Sequence, residues 1–170
     1  MVVIAAIKEE EETMDQIPVR CSKVTQTRLI FPPDTNHLGT IFGGKVLAYI
    51  DEVAALTAMK HSNAIVVTAS IDSVNFISTA RVGEALTIEA CVTKTGRTSM
   101  EVYVKVFADD LLSGEQKMTT ESFLTMVAMD EEGRPKPVPH VIPETEEEKE
   151  LNRTAAARKK QREEKAELRT

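Results

Sequence analysis

The sequence predicts an α+β domain, an antiparallel sheet wrapped against one long helix, on three observations. An almost wholly apolar helical run spans Gly43 to about His61, four strand-like runs follow it in succession, and each break between those runs contains a glycine.

Taken in order, residues 1–17 read as a lead-in, because an apolar opening runs straight into the glutamates Glu9 to Glu12 and has little to bury. No basic region precedes that opening, so a secretory signal is not expected. "VRCSKVTQTRLI", Val19 to Ile30, alternates loosely and favours a first strand. "FPPDTNHLGT" then interrupts the chain with Pro32, Pro33, Asp34, Asn36 and Gly39, all residues that favour turns. The helical run carries charge only at Lys45, Asp51, Glu52 and Lys60 before its end and is hydrophobic nearly all round, so it should be covered on most sides. One small sheet cannot cover it alone. A second copy is the natural completion, and Ala48, Ala54, Ala55 and Ala58 permit close packing.

The four strands are expected at about Ala64–Phe76, Glu84–Thr95, Thr98–Ala108 and Gln116–Met129, broken by "RVGE", "KTGR" and "LLSGEQ". After "GRPKPVPHVIPETEEE" the composition shifts. Glu144 to Thr170 is acidic first and basic later, the order that suits a helix dipole, and Glu150 and Arg153 are placed to pair. Its apolar stripe is thin, which predicts a solvated helix or tail. The organisation is then a lead-in over 1–17, one domain over 18–140 and a charged segment over 141–170.

Composition excludes several functions. The 170 residues suit one domain, and with 42% hydrophobic residues, 4% aromatic and no Trp the core must be aliphatic. A net charge of -6 argues against nucleic acid as partner. No stretch approaches the roughly 18 uninterrupted apolar residues of a membrane span, so a cytoplasmic protein is expected. Cys21 and Cys91 have neither metal-ligand spacing nor disulfide-scaffold density and read as reduced core thiols. His61 and His140 form no zinc set, and no metal is expected. Serine-elbow, phosphate-loop and dinucleotide motifs are lacking as well.

Two features point to chemistry. At 100° per residue Asp51 shares a helix face with Leu47, Ala48, Ala54, Ala55 and Ala58, where a charged carboxylate is costly and no local cation relieves it. Such an acid either caps a neighbouring loop or works as a catalytic group. Glu52 projects elsewhere, towards Lys45, its expected partner. Gly43 and Gly44 begin the helix and leave uncrowded N–H groups where an acyl carbonyl becoming an oxyanion would be stabilised. Asn36 and His37 lie in the preceding turn, where each alone is an ordinary turn residue.

Together, "NHLGTIFGGKVLAYIDEVAA", "VVTASIDSVNF", "RVGE" and "KTGRTSMEVYVKVFA" resemble the hotdog-fold acyl-CoA thioesterases, in the group of the bacterial and brain acyl-CoA hydrolases, over roughly Val19 to Pro139. The resemblance implies a hotdog fold, a homodimer with joined sheets, commonly three dimers in a hexamer, and active sites at the dimer interface. It maps catalytic roles onto Asn36 of one subunit and Asp51 of the other. The implied reaction is hydrolysis of acyl-CoA thioesters, medium- to long-chain ones being expected, with Asp51 as general base or, as the second choice, a nucleophile forming an anhydride, His37, Gly43 and Gly44 around the carbonyl, and no cofactor, since CoA belongs to substrate and product. CoA carries phosphates, for which Arg97, Thr98 and Ser99 are first candidates and Arg81 and Lys136 weaker ones. Thr79 stands where relatives often have Pro, a difference that bears on the loop near the substrate. A non-catalytic acyl-CoA-binding module and a hotdog enoyl-thioester hydratase are the alternatives.

Overall fold

The computed structural model describes residues 15–168, so most of the expected lead-in lies outside the described residues. Its last part is a short strand, β1 (Gln16–Pro18), which pairs in parallel with β7 (His140–Ile142). Val19–Ser22 is a single helical turn, α1, where the sequence predicted strand. Pro18 accounts for the change, because a fixed φ and a missing N–H suit the start of a helix. The first strand of the main sheet is therefore the shorter β2 (Val24–Leu29).

The long helix α2 (Gly43–Ser62) and the strands β3 (Ile65–Phe76), β4 (Ala85–Thr95), β5 (Ser99–Asp109) and β6 (Gln116–Met129) fall where the sequence placed them. The sheet is antiparallel in the order β2-β4-β5-β6-β3, and among the described residues β3 is a free edge. Alternation turns Leu86, Ile88 and Val92 of β4, Val102 and Val104 of β5 and Leu124 and Met126 of β6 inward, onto Val46, Ile50, Val53, Ala54 and Ala58 of α2. Each large aliphatic side chain buried in this way contributes about 1.5–3 kcal/mol. Asn63 ends α2 in the left-handed region, at φ 48°, a conformation that asparagine tolerates.

One side of α2 stays open. Leu56 and Met59 of α2 and Ile71, on the helix-facing side of β3, are exposed apolar residues along this side, whereas Ile65 and Val67 alternate to the outer face at the sheet edge. The other face of the sheet mixes polar and apolar residues, and α3 (Glu146–Glu167) lies across it, capped by Thr145 and Glu148 in a reciprocal box. The charged segment is thus a docked helix, with Ala155 buried. Cys91 lies beneath it, half-buried and packed against the core, where burial pushes its thiol up to about 11, whereas Cys21 is exposed and is not a core thiol. Among the described residues no helix is long and apolar enough to cross a membrane.

His61, near the end of α2, is 1% exposed. Its Nε2 lies 3.0 Å from the Pro139 carbonyl, which can only accept, so Nε2 carries the hydrogen and Nδ1 accepts from Ser22 Oγ at 3.1 Å. Burial lowers its pKa from the ordinary 6.5, against an opposing pull from the Pro139 carbonyl. The unfolded chain therefore binds the proton more readily than the folded one. Stability from neutral His61 is complete above pH 6.5 and is lost as pH falls through the lowered value. The urea midpoint is expected to drop between about pH 7 and 5, and His61→Gln to flatten that drop.

Candidate active site

α2 opens without a side-chain cap. Lys45 and Val46 spend their N–H groups on the Phe42 carbonyl at 2.9 and 3.2 Å, whereas those of Gly43 and Gly44 meet no acceptor among the described residues. The glycines are also crowded by rings: a Cβ on Gly43 would lie 3.5 Å from the Phe76 ring, and one on Gly44 3.2 Å from that of Phe42. Two bare amides at the positive end of a 20-residue helix form a ready site for an oxyanion.

Asn36 is held by its own loop. Its Oδ1 accepts from the amides of Leu38 at 2.9 Å and Thr40 at 3.3 Å, and its Nδ2 donates to Thr40 Oγ1 at 3.0 Å. Phe42 N donates to the Asp34 carbonyl and Ile41 N to that of Ala80, which ties this loop to the start of α2. His37 is exposed in the same loop. Arg81 is brought to this end too, by a bridge with Thr40.

Asp51 is only half-buried, on the open side of α2, and its surround is less apolar than predicted because Ala48 is exposed. Its Oδ1 accepts from Thr68 Oγ1 of β3 at 2.7 Å, which fixes the carboxylate and leaves Oδ2 available. Thr68 was missed in the sequence. Alternation along "VVTASIDSVNF" was the available signal, but only the packing of β3 on α2 selects that hydroxyl. Glu52 pairs with Arg28 of β2 at 2.7 Å and not with Lys45, which lies 3.4 Å from Asp34. Lys45 and Glu52 are seven residues apart, about 10 Å along the helix, and each finds a nearer partner.

The phosphate-binding candidates are divided. Arg97, Thr98 and Ser99 form the turn between β4 and β5, and backbone bonds from Val138 to Arg97 and from Ala128 to Thr98 join it to the loop of Lys136. An open cleft of about 610 Å³ adjoins this end, lined by Met59, Asn63, Ile65, Met129, Glu132 and Lys136. Arg81 precedes the opposite end of β4, about 33 Å away at ordinary strand rise. Among the described residues no three His, Cys, Asp or Glu side chains converge as a metal site.

A sheet curled round one helix, with bare amides at its start and a braced carboxylate along it, defines a hotdog-fold protein equipped for acyl chemistry. The thioesterase superfamily model matches residues 38–115. The chain is 47% identical over 141 residues to an uncharacterised acyl-CoA thioester hydrolase of Bacillus subtilis, YkhA, covering 83% of this chain and 82% of that one. It is 38% identical over 133 residues to the mouse cytosolic acyl coenzyme A thioester hydrolase, covering 77% of this chain but 35% of that longer one. The chain belongs to the thioesterase superfamily, among the acyl-CoA thioester hydrolases.

Solved structures agree. An apo-hexameric acyl-CoA thioesterase superposes with a TM-score of 0.88 at 68% identity, covering 89% of this chain and 97% of that one. The acyl-CoA hydrolase of Staphylococcus aureus, in complex with butyryl coenzyme A, coenzyme A and coenzyme A disulfide, gives 0.85 at 44% identity, covering 89% and 92%. That hydrolase has also been solved with alanine replacing an asparagine, an aspartate 15 positions later, and a threonine 17 positions after that. Asn36, Asp51 and Thr68 stand at the same spacings here.

Proposed function

We propose that two copies of this chain together hydrolyse acyl-CoA thioesters, each active site combining Asp51 and Thr68 of one copy with Asn36 and the Gly43 and Gly44 amides of the other. One observation carries the reading. Asp51 lies eight residues beyond Gly43, about 12 Å along the helix, too far for the amides and the carboxylate of one copy to act on the same carbonyl. Pairing the free edge of β3 antiparallel with its copy resolves this. It brings the Thr68 end of one strand beside the Phe76 end of the other, and Phe76 adjoins Gly43.

Asp51 Oδ2 takes a proton from water as the water oxygen bonds to the thioester carbon. The carbonyl oxygen becomes negative against the amides of Gly43 and Gly44, while Asn36 orients water or carbonyl. Collapse breaks the C–S bond and the proton returns to the CoA thiolate. A thioester is electrophilic and its thiolate leaves readily, so no serine nucleophile is needed. The same pairing sets the Arg97–Ser99 turn of one copy and the Arg81 end of the other at the same end of the joined sheet, as separate candidate cations for the phosphates of CoA. The exposed apolar residues Leu56, Met59 and Ile71 on the open side of α2 suit a medium- to long-chain acyl group.

Subunit mixing tests this reading. Asn36→Ala and Asp51→Asn should each be nearly inactive in free-thiol release from a panel of acyl-CoAs. Unfolded and refolded together they should regain about a quarter of parental activity, since half the dimers are mixed and each mixed dimer holds one intact site. No recovery in demonstrably mixed dimers would place both residues in a site within one subunit.

A further inference from the structure

The contacts of α3 with the outer face come in strand order. Asn152 donates to the Thr93 carbonyl of β4 at 2.7 Å; Arg158 reaches Glu101 of β5 at 2.7 Å and lies 4.2 Å above the Phe123 ring of β6; Arg162 reaches Asp72 of β3 at 2.6 Å. From Asn152 to Arg162 the helix advances about 15 Å, and three strand spacings amount to about 14 Å, so α3 runs squarely across the sheet. It continues beyond Arg162. Glu163 to Glu167 carry it about 7 Å further, towards the free edge of the sheet.

Under that last stretch lies a groove of about 250 Å³, walled by Ile71, Phe123, Arg162, Lys165 and Ala166. Among the described residues no element stands beyond β3 to close it. Here β3 is bulged, with register shifts around Ala69 and Asp72, and Asp72 also accepts from Thr125, which anchors the helix at the edge. Leu168, at the end of an otherwise charged helix, is 87% exposed.

From this geometry we infer that α3 is a strap across the joint between two copies: the segment Gln161 to Leu168 of each closes this groove against the outer face and α3 of the other. The occupant is a second copy because the groove continues the edge along which β3 pairs, and the strap rests on that pairing. A two-fold axis at this edge sets the two helix ends antiparallel. The cations Lys159, Lys160 and Lys165 and the acids Glu163 and Glu164 then meet in reversed order, without accumulating like charge. Leu168 gains cover.

Spin labels on Ser73→Cys, Ala166→Cys and Lys149→Cys, each in a Cys21→Ser, Cys91→Ala background, test this by pairwise distance. The Ser73 labels report the β3 joint and should lie close together; the Ala166 labels should be much closer than those at Lys149, over the far side of the sheet. A chain ending at Arg162 keeps the Asp72 contact and should show a dimer dissociation constant raised roughly tenfold or more. Close Ser73 labels, with Ala166 labels no nearer than those at Lys149 or an unchanged dissociation constant, overturn the strap and leave the joint standing. Distant Ser73 labels overturn the joint, and the strap with it.

Discussion

Replacing Asp51 by asparagine is expected to lower the rate of thiol release from saturating acyl-CoA by a factor of about 10² to 10⁴, the usual worth of a positioned general base. The amide keeps the shape and can still accept from the Thr68 hydroxyl, which lies 2.7 Å from Asp51 Oδ1, so the strand and helix need not move. What is lost is the capacity to take a proton from water. Binding of CoA, measured by calorimetry, should be nearly unchanged, since none of the proposed phosphate contacts involves Asp51. Thr68→Ala should be milder, about tenfold, because the base remains but swings more freely. Unimpaired turnover by Asp51→Asn would remove the base from the mechanism.

The second large effect is on stability. Glu101 is 8% exposed, and Arg158 reaches both its oxygens, at 2.7 and 3.1 Å, while Thr93 Oγ1 donates to it at 2.6 Å. Arg158→Ala leaves a buried carboxylate with the Thr93 hydroxyl alone and should cost roughly 3 kcal/mol. For a chain of this size the melting temperature falls by about 6–12 °C. The double change Glu101→Leu, Arg158→Met should recover most of the loss, since an apolar pair of similar volume removes the stranded charge. Lys149→Ala, which breaks only an exposed pair with Glu146, should leave melting almost unaltered. If Arg158→Ala melts like Lys149→Ala, the pair holds nothing together.

The helix and the four long strands were legible because local signals agreed with tertiary need. Gly43–Ser62 is long and apolar, and each hairpin break contains a glycine. What escaped the sequence depends on neighbours distant along the chain. The pairing of β1 with β7 joins three-residue strands more than a hundred positions apart, and neither is periodic enough to announce itself. Glu52 was assigned to its own helix when a neighbouring strand supplies Arg28, and Thr68 is one hydroxyl among several until β3 folds onto Asp51. The docking of α3 had left a trace: Arg158 and Arg162 are four apart, on the face of buried Ala155, and face outward-pointing acids on two different strands.

The chain has two tyrosines and no tryptophan, and the fold puts the two on opposite sides of the sheet. Tyr49 rides on α2 with the Arg28 guanidinium 4.5 Å above its ring. Tyr103 stands on the outer face beneath α3, stacked 4.6 Å from Phe123, its hydroxyl donating to Glu121. Native fluorescence is therefore already divided into two reporters. Tyr49→Phe leaves an optical signal from the α3 side alone, and Tyr103→Phe one from α2, so motions on the two sides can be followed separately without attaching a dye.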